Sequence, residues 1–156
     1  MTASSSFTPL HAARFDPLPA DRADRFASFR PGSAEYFPGL VGIRLEEVRT
    51  DYARMRLPFR STLNQPAGVV HGGAIATLID TVVVPAIGSG YDEPHRYVTI
   101  DLQIQYLGGL VGEDAIAEGW VVRRGRSIVF CRAEVFAASG ALVAARTMAY
   151  SVRPVR

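Results

Sequence analysis

The sequence contains no lysine: all 17 basic residues among its 156 positions are arginine. A Schiff-base enzyme, a pyridoxal-phosphate enzyme and a Walker-type phosphate loop each need a lysine, so these chemistries are excluded. The single cysteine, Cys131, cannot form an internal disulfide or a cysteine-rich metal site, which favours a reducing compartment. No set of histidine, cysteine and carboxylate residues has metal-ligand spacing, and we predict no metal.

Long apolar runs are also absent, since none reaches the ~20 residues that a membrane span needs. The first eight residues lack the basic-then-apolar order of a secretory signal. A net charge of +2 and scattered aromatic residues give no surface for nucleic acid. We therefore expect a cytoplasmic protein that binds neither membranes nor nucleic acid. The apolar content of 48% is high for one domain of this size and predicts a buried interface between copies of the chain.

The sequence pattern divides the chain into an N-terminal arm, residues 1–38, and a domain, residues 39–156. The arm holds half of the ten prolines and is predicted to be partly helical or irregular, with a short helix at residues 20–29. From residue 40 onward, the alternation of Val41, Ile43 and Leu45 with polar residues predicts a strand. A second strand follows after a tight turn at residues 50–51.

Residues 72–88 are apolar on nearly every face, which is typical of a buried helix. We expect Pro85 to kink or end that helix because proline lacks a backbone N–H. Alternation then predicts four more strands, at residues 98–106, 114–124, 127–137 and 141–152. In the first of these, Ile100 and Leu102 should share one face and Thr99 the other. The predicted fold class is α+β, with an antiparallel sheet of about five to six strands around one long helix.

A His71-Gly72-Gly73 sequence opens the predicted helix, and Asp80 follows nine residues after the histidine. Glycines at a helix start let a ligand approach free N–H groups, and the helix dipole favours an anion there, such as the oxyanion of a reacting carbonyl. Apolar neighbours would desolvate Asp80 and make it a stronger base. Two other interpretations remain open at this point: a simple loop-to-helix turn at the glycines, and a core carboxylate satisfied by an N–H or an arginine.

Residues 65–74, followed by Asp80, resemble the hotdog-fold acyl-CoA thioesterases of the phenylacetate-degradation (PaaI-like) type. The resemblance extends through the strand around Thr99 to the later turn at Gly125-Arg126-Ser127, and covers about residues 39–152. It implies a homodimer that shares its active sites, assembled further into a dimer of dimers (a homotetramer). The His-Gly-Gly loop of one subunit would then face the helix acid of the other.

The resemblance also implies roles for single residues. Asp80 matches the catalytic carboxylate, which acts as a general base on water or as a nucleophile. The N–H of Gly72, helped by Gly73, matches the oxyanion donor. His71 and Gln65 match the polar pair near the thioester carbonyl and sulfur.

Two further positions have alternatives. Many members of the family place asparagine six residues before the histidine; here that residue is Gln65, and Asn64 stands one position earlier. We favour Gln65, whose longer amide offers the same donor and acceptor, and keep Asn64 as a substrate-binding candidate. Thr99 matches a residue that helps to place the attacking water, although a satisfied surface threonine would fit its strand equally well.

Three arginines, Arg123, Arg124 and Arg126, surround the predicted turn before Ser127. Arginine binds phosphates bidentately, so this turn is a candidate for binding the phosphates of coenzyme A. A solvated hairpin tip is the alternative.

The resulting hypothesis is a hydrolase that converts a small or medium acyl- or aryl-CoA thioester into free acid and CoA, with CoA as part of the substrate and no other cofactor. The alternative is a non-catalytic acyl-CoA-binding module or sensor on the same fold, which would have no need of a carboxylate at position 80. A hotdog hydratase is disfavoured because such enzymes usually place the acid before the histidine.

Overall fold

A computed structural model of the chain describes residues 7–27 and 36–155. Its regular elements, besides short 3₁₀ turns, are α1 (Ala20–Ala27), α2 (Phe37–Val41), β1 (Arg44–Arg49), β2 (Tyr52–Leu57), α3 (Gly72–Gly88), β3 (His95–Tyr106), β4 (Ala115–Arg124), β5 (Ile128–Ala137) and β6 (Leu142–Pro154). The six strands form one antiparallel sheet in the order β1-β2-β4-β5-β6-β3. The predicted fold class, a sheet around one long helix, is confirmed. In the described ranges, no helix has the length and apolarity to cross a membrane.

Helix α3 is the centre of the hydrophobic core, as its apolar sequence predicts. Leu78, Ile79, Val82 and Val83 have no exposed surface and pack against the inner face of the sheet. The helix comes so close to β4 that a Cβ on Gly119 would lie 2.7 Å from Val82 Cγ1. Only glycine allows this approach, and the close packing fixes the position of α3 on the sheet.

The prediction that Pro85 ends the helix is wrong, and the alternative that it kinks the helix stays a prediction. Helix α3 continues beyond Pro85 to Gly88, and the Pro85 carbonyl still accepts a hydrogen bond of 2.9 Å from the Ser89 N–H. Arg124 donates to the carbonyl of Ile87 at 2.8 Å. A cation that binds the last carbonyls stabilises the turn after the proline, and proline costs the helix only its own N–H.

The first predicted strand begins later than expected. Phe37–Val41 forms a short helix, with Pro38 in its first turn and Gly42 after its last residue at φ 92°. Proline near a helix start and a left-handed glycine after its end are typical helix boundaries. These local signals override the alternation that placed Val41 in a strand, and β1 begins only at Arg44.

The predicted alternation along β3 is also wrong, because the strand carries a β-bulge. The pairing with β6 shifts register between Thr99 and Asp101, so that Ile100 is the extra residue. A bulge inserts one residue and moves the following side chains to the opposite face. As a result, Val98 and Ile100 are 62% and 56% exposed, whereas Thr99 and Leu102 turn toward the helix.

The described residues before α1 are packed on the outer face of the sheet. The carboxylate of Glu118, which is fully buried, accepts hydrogen bonds from the backbone N–H groups of Leu10 and His11 at 3.0 and 3.2 Å and from the hydroxyl of Tyr52 at 2.6 Å. The predicted helix is present as α1 (Ala20–Ala27), and the last two residues of that prediction lie outside the described residues. The division into an arm and a domain at residue 38 stays a prediction.

Candidate functional site

Asp80 lies in the middle of α3, half-buried between the helix and the inner face of the sheet. Its Oδ1 accepts a hydrogen bond from Thr99 Oγ1 at 2.9 Å and lies 2.5 Å from the hydroxyl of Tyr150. Oδ2 has no hydrogen bond to any residue in the described ranges. The prediction of apolar surroundings for Asp80 is therefore only partly correct. Hydroxyl groups from β3 and β6 bind one carboxylate oxygen, and the other oxygen is open.

Sequence reasoning missed Tyr150, which lies on β6 and is 2% exposed. Its hydroxyl also lies 2.7 Å from the backbone carbonyl of Asp80. Burial, reinforced by the hydrogen bond with Asp80, raises the pKa of Tyr150 above its ordinary value, so the hydroxyl stays protonated and donates. The alternation of Met148, Tyr150 and Val152 is a signal that could have found it, because an inward tyrosine needs a polar partner.

Thr99 reaches Asp80 because of the bulge at Ile100. The interpretation of Thr99 as a satisfied surface residue is wrong, since its side chain points inward and its hydroxyl donates to the carboxylate. Its hydroxyl oxygen keeps acceptor capacity for a further donor such as water.

The start of α3 presents one free and one occupied N–H group. The Gly73 N–H donates to His71 Nδ1 at 2.8 Å, and His71 is therefore the N-cap of the helix. The Gly72 N–H has no hydrogen-bond partner among the residues that the structure describes. This geometry supports Gly72 as a donor to a ligand and leaves no free N–H on Gly73 for the same task. The Tyr106 hydroxyl donates to the Gly72 carbonyl at 2.8 Å.

Gly72 and Asp80 are too far apart to act on one carbonyl group within a single chain. They are separated by eight residues of helix, which is about 12 Å along the axis. An oxyanion donor and a catalytic carboxylate must both lie roughly 3 Å from the reacting atoms. One chain therefore presents two half-sites rather than a complete site.

The loop before α3 holds both amide candidates. Gln65 Oε1 accepts from the Ala67 N–H at 3.1 Å, so this side chain partly closes its own loop. Asn64 Oδ1 is buried and has no hydrogen-bond partner among the described residues, which is a costly state for a polar atom. Gln65 and Gly72 line a cavity of about 200 Å³ beside Tyr106. The structure thus places Gln65 next to the free N–H of the helix start.

The arginines of the β4–β5 turn divide into two groups. Arg123 and Arg126 are exposed, as is Ser127. Arg124, by contrast, lies over the ring of Tyr91 at 4.6 Å and forms hydrogen bonds from Nε and Nη2 to Asp51 Oδ1, the former at 3.0 Å. Because it also donates to the end of α3, Arg124 has a structural role, and its assignment as a substrate contact stays a prediction.

Two further buried residues, Cys131 and Arg146, have pKa values that burial shifts. Burial raises the pKa of the Cys131 thiol to about 12, and the side chain is 2% exposed. Arg146, only 6% exposed, donates from both terminal nitrogens to the carbonyl of Gln103 at 3.3 and 3.2 Å. Burial lowers the pKa of Arg146. The described residues contain no group of side chains that could hold a metal ion.

The chain is similar to several known proteins. A Halobacterium salinarum protein provisionally named an esterase is 37% identical over 93 residues, which are 56% of this chain and 61% of that protein. The match thus spans about three fifths of the curated relative. The solved structure of the Escherichia coli PaaI protein, from the phenylacetic acid degradation operon, has a TM-score of 0.75 and 16% identity over 89% of this chain and 96% of that one. A hypothetical Streptococcus pneumoniae thioesterase solved with coenzyme A has a TM-score of 0.70 and 20% identity over 84% and 98%.

These structural similarities show the fold, and a match of the sequence to a family model shows the family. The model of the thioesterase superfamily matches residues 67–144, half of the chain. The matched residues include the free N–H of Gly72, the carboxylate of Asp80 and the hydroxyl of Thr99, but not Tyr150. The chain therefore has the hotdog fold and belongs to the thioesterase superfamily.

Proposed function

We propose that this chain hydrolyses an acyl-CoA thioester to the free acid and CoA. The observation that supports this function is the state of Asp80: its Oδ1 is held by Thr99 and Tyr150, while its Oδ2 is open. A fixed carboxylate with one free oxygen can take a proton from water or attack the carbonyl itself. The water would also donate to the Thr99 oxygen.

The reaction needs a second copy of the chain. The half-sites in one chain are about 12 Å apart, but the Gly72 N–H of a second copy can approach Asp80 if two chains pack side by side. The exposed apolar side chains of the edge strand β3, among them Val98 and Ile100, favour such packing. We infer a dimer that shares its sites, and further assembly into a dimer of dimers.

In the proposed mechanism, the thioester carbon becomes tetrahedral when water or Asp80 adds to it. The negative charge moves to the carbonyl oxygen, where the Gly72 N–H and the positive end of the helix dipole stabilise it. One such donor is worth on the order of 10² to 10³ in rate. The C–S bond then breaks, and the thiolate leaves near His71 and Gln65. If Asp80 is the nucleophile, water must cleave the resulting anhydride in a second step.

Coenzyme A is the proposed carrier of the acyl group. A structural relative, the Streptococcus pneumoniae protein, was solved with coenzyme A. In this chain the exposed Arg123 and Arg126 offer cations for its phosphates, and Ser127 offers a hydroxyl. A cytoplasmic location is part of this proposal.

The substitution Asp80→Asn tests this function. We expect release of free thiol from a panel of alkyl- and aryl-CoA thioesters to fall by at least about 10³-fold, since the amide is neither base nor nucleophile. Asp16→Asn is the matched control, because Asp16 is exposed, lies away from β3 and should keep wild-type rates. Near-wild-type turnover by Asp80→Asn would refute the role of Asp80. A wild-type protein that binds acyl-CoA but releases no thiol would favour the non-catalytic binding module.

A further inference from the structure

A small apolar cavity of about 170 Å³ lies between the C-terminal part of α3, the start of β3 and helix α1. Its lining residues are Val84, Pro85 and Gly88 of α3, Pro94, His95 and Tyr97 at and beside the start of β3, and Arg25 and Phe26 of α1. A cavity of roughly 150 Å³ with apolar walls is large enough for a benzene molecule. The space therefore suits a compact apolar group.

The cavity lies further along the side of α3 that carries the carboxylate. Val84 and Gly88 follow Asp80 by four and eight residues, so they lie on the same side of the helix, about 6 and 12 Å further along. Tyr97 precedes Thr99 by two residues and therefore faces the same way on β3. Thr99 contacts Asp80, and the Tyr97 hydroxyl lies 3.1 Å from the position of a Cβ on Gly88. The cavity and Asp80 therefore lie along the same side of α3 and the same face of β3.

Helix α1 is held over this end of the core by its arginines. Arg22 donates to the carbonyl of Ser89 at 2.9 Å and pairs with Asp92 at 2.5 Å. Arg25 donates to the carbonyls of Tyr91, at 2.8 Å, and of Asp92. These contacts place the Phe26 ring 3.5 Å from the position of a Cβ on Gly88. Phe26 is therefore a firmly positioned wall rather than a loose cover.

We propose that α1, through Phe26, forms the far wall of the acyl pocket and limits the substrate to a compact acyl group. The inference rests on the proposed thioesterase function and deepens it. The wall comes from a segment outside residues 67–144, the part of the chain that matches the thioesterase superfamily. Acyl size would then be set by an element outside the superfamily match, whereas the carboxylate and the helix start lie within it.

The test compares two opposite substitutions at one position. Phe26→Ala should raise kcat/KM for decanoyl-CoA relative to hexanoyl-CoA by about tenfold or more, since a few methylenes in an apolar pocket are worth at least that factor. Phe26→Trp should lower the same ratio. Acetyl-CoA, which is too short to reach the wall, should show little change in either variant.

Phe15→Ala serves as the matched control, because Phe15 belongs to the same N-terminal segment but stacks on Tyr52 at 5.3 Å, in a separate apolar cluster. If Phe15→Ala changes the chain-length ratio as much as Phe26→Ala does, loosening of the segment explains the result and the wall is refuted. An unchanged ratio in both folded Phe26 variants also refutes it.

Binding measurements on a catalytically inactive variant test this inference independently of the proposed hydrolysis. Calorimetry of decanoyl-CoA and hexanoyl-CoA with Asp80→Asn, alone and combined with Phe26→Ala, measures the same preference without turnover. A shift of at least about fivefold toward decanoyl-CoA supports the wall even if the wild-type protein hydrolyses neither thioester. Equal affinity ratios in the two proteins contradict the wall, whatever the wild-type activity is.

Discussion

The two ends of helix α3 differ in how their backbone groups are satisfied. At the start, the Gly72 N–H has no partner in the described part of the chain, and the neighbouring His71 is exposed. At the end, Arg124 and the Ser89 hydroxyl bind the last carbonyls, with Ser89 donating to Ala86 at 2.7 Å. Both ends carry the partial charges of the helix dipole. Only the end that is left open to a ligand can contribute to chemistry.

Among the substitutions at the two helix ends, removal of the open N–H should have the largest effect. Gly72→Pro deletes this single donor at the first helical position, where proline fits well, and His71 already has the extended backbone (ψ 134°) that a following proline requires. We expect kcat to fall by about 10² to 10³ with little loss of stability. The measurement is thiol release together with thermal unfolding.

Gly72→Ala is the control for that variant, because it adds a similar Cβ near Tyr106 but keeps the N–H. The flexible tyrosine ring can move by the few tenths of an ångström that are needed. If the alanine and proline variants lose activity equally, crowding rather than the lost donor is the cause, and the proposed contrast between the helix ends fails.

At the C-terminal end of α3, substitution of Arg124 should lower the stability of the protein. Arg124→Met removes the cation from the carbonyls of α3 and leaves Asp51 without its partner, so we expect a loss of about 2 kcal/mol in the free energy of unfolding. Arg123→Met, an adjacent exposed position, should change stability by less than about 0.5 kcal/mol. Urea unfolding of both variants provides the measurement. Equal stability losses would remove the distinction between structural and exposed arginines in this turn.

The smallest expected effect concerns Tyr150, which lies against the middle of the helix. Its pKa is raised by burial in the folded state, so its contribution to stability is fully present below pH about 10 and is lost as the pH rises further. At about pH 10.5 this loss is below about 1 kcal/mol. Tyr150→Phe should therefore reduce the decline of stability between about pH 9 and 10.5. Urea unfolding of the wild-type protein and of Tyr150→Phe across this pH range provides the measurement. An identical decline of stability in the two proteins would contradict the raised pKa of Tyr150.

Much of the fold could be predicted because its signals are local. The apolar stretch at residues 72–88 predicted α3 with the correct bounds, and alternation located all four strands that follow it. The candidate residues of α3 were found because glycines at a helix start and a carboxylate in an apolar helix are visible in a short stretch of sequence. The start of β1 was mispredicted where Pro38 and Gly42 favour a helix.

Other features depend on contacts between distant parts of the chain. The bulge at Ile100 exists only in the pairing of β3 with β6, and it decides that Thr99 faces Asp80. Tyr150 contacts a carboxylate 70 positions away, and Arg124 closes a helix that ends 36 residues earlier. No periodicity in the sequence encodes such partners.

The sequence by itself thus determined the order of the elements, the buried helix and the residue types available for chemistry, which exclude lysine. Hydrophobic periodicity and turn residues are properties of neighbouring positions, so they can be read without a structure. The tertiary structure alone decided which oxygen of Asp80 is open, which arginine is structural and where α1 closes the apolar cavity. Each of these depends on strand register and helix packing, in which a shift of one residue moves a side chain to the opposite face.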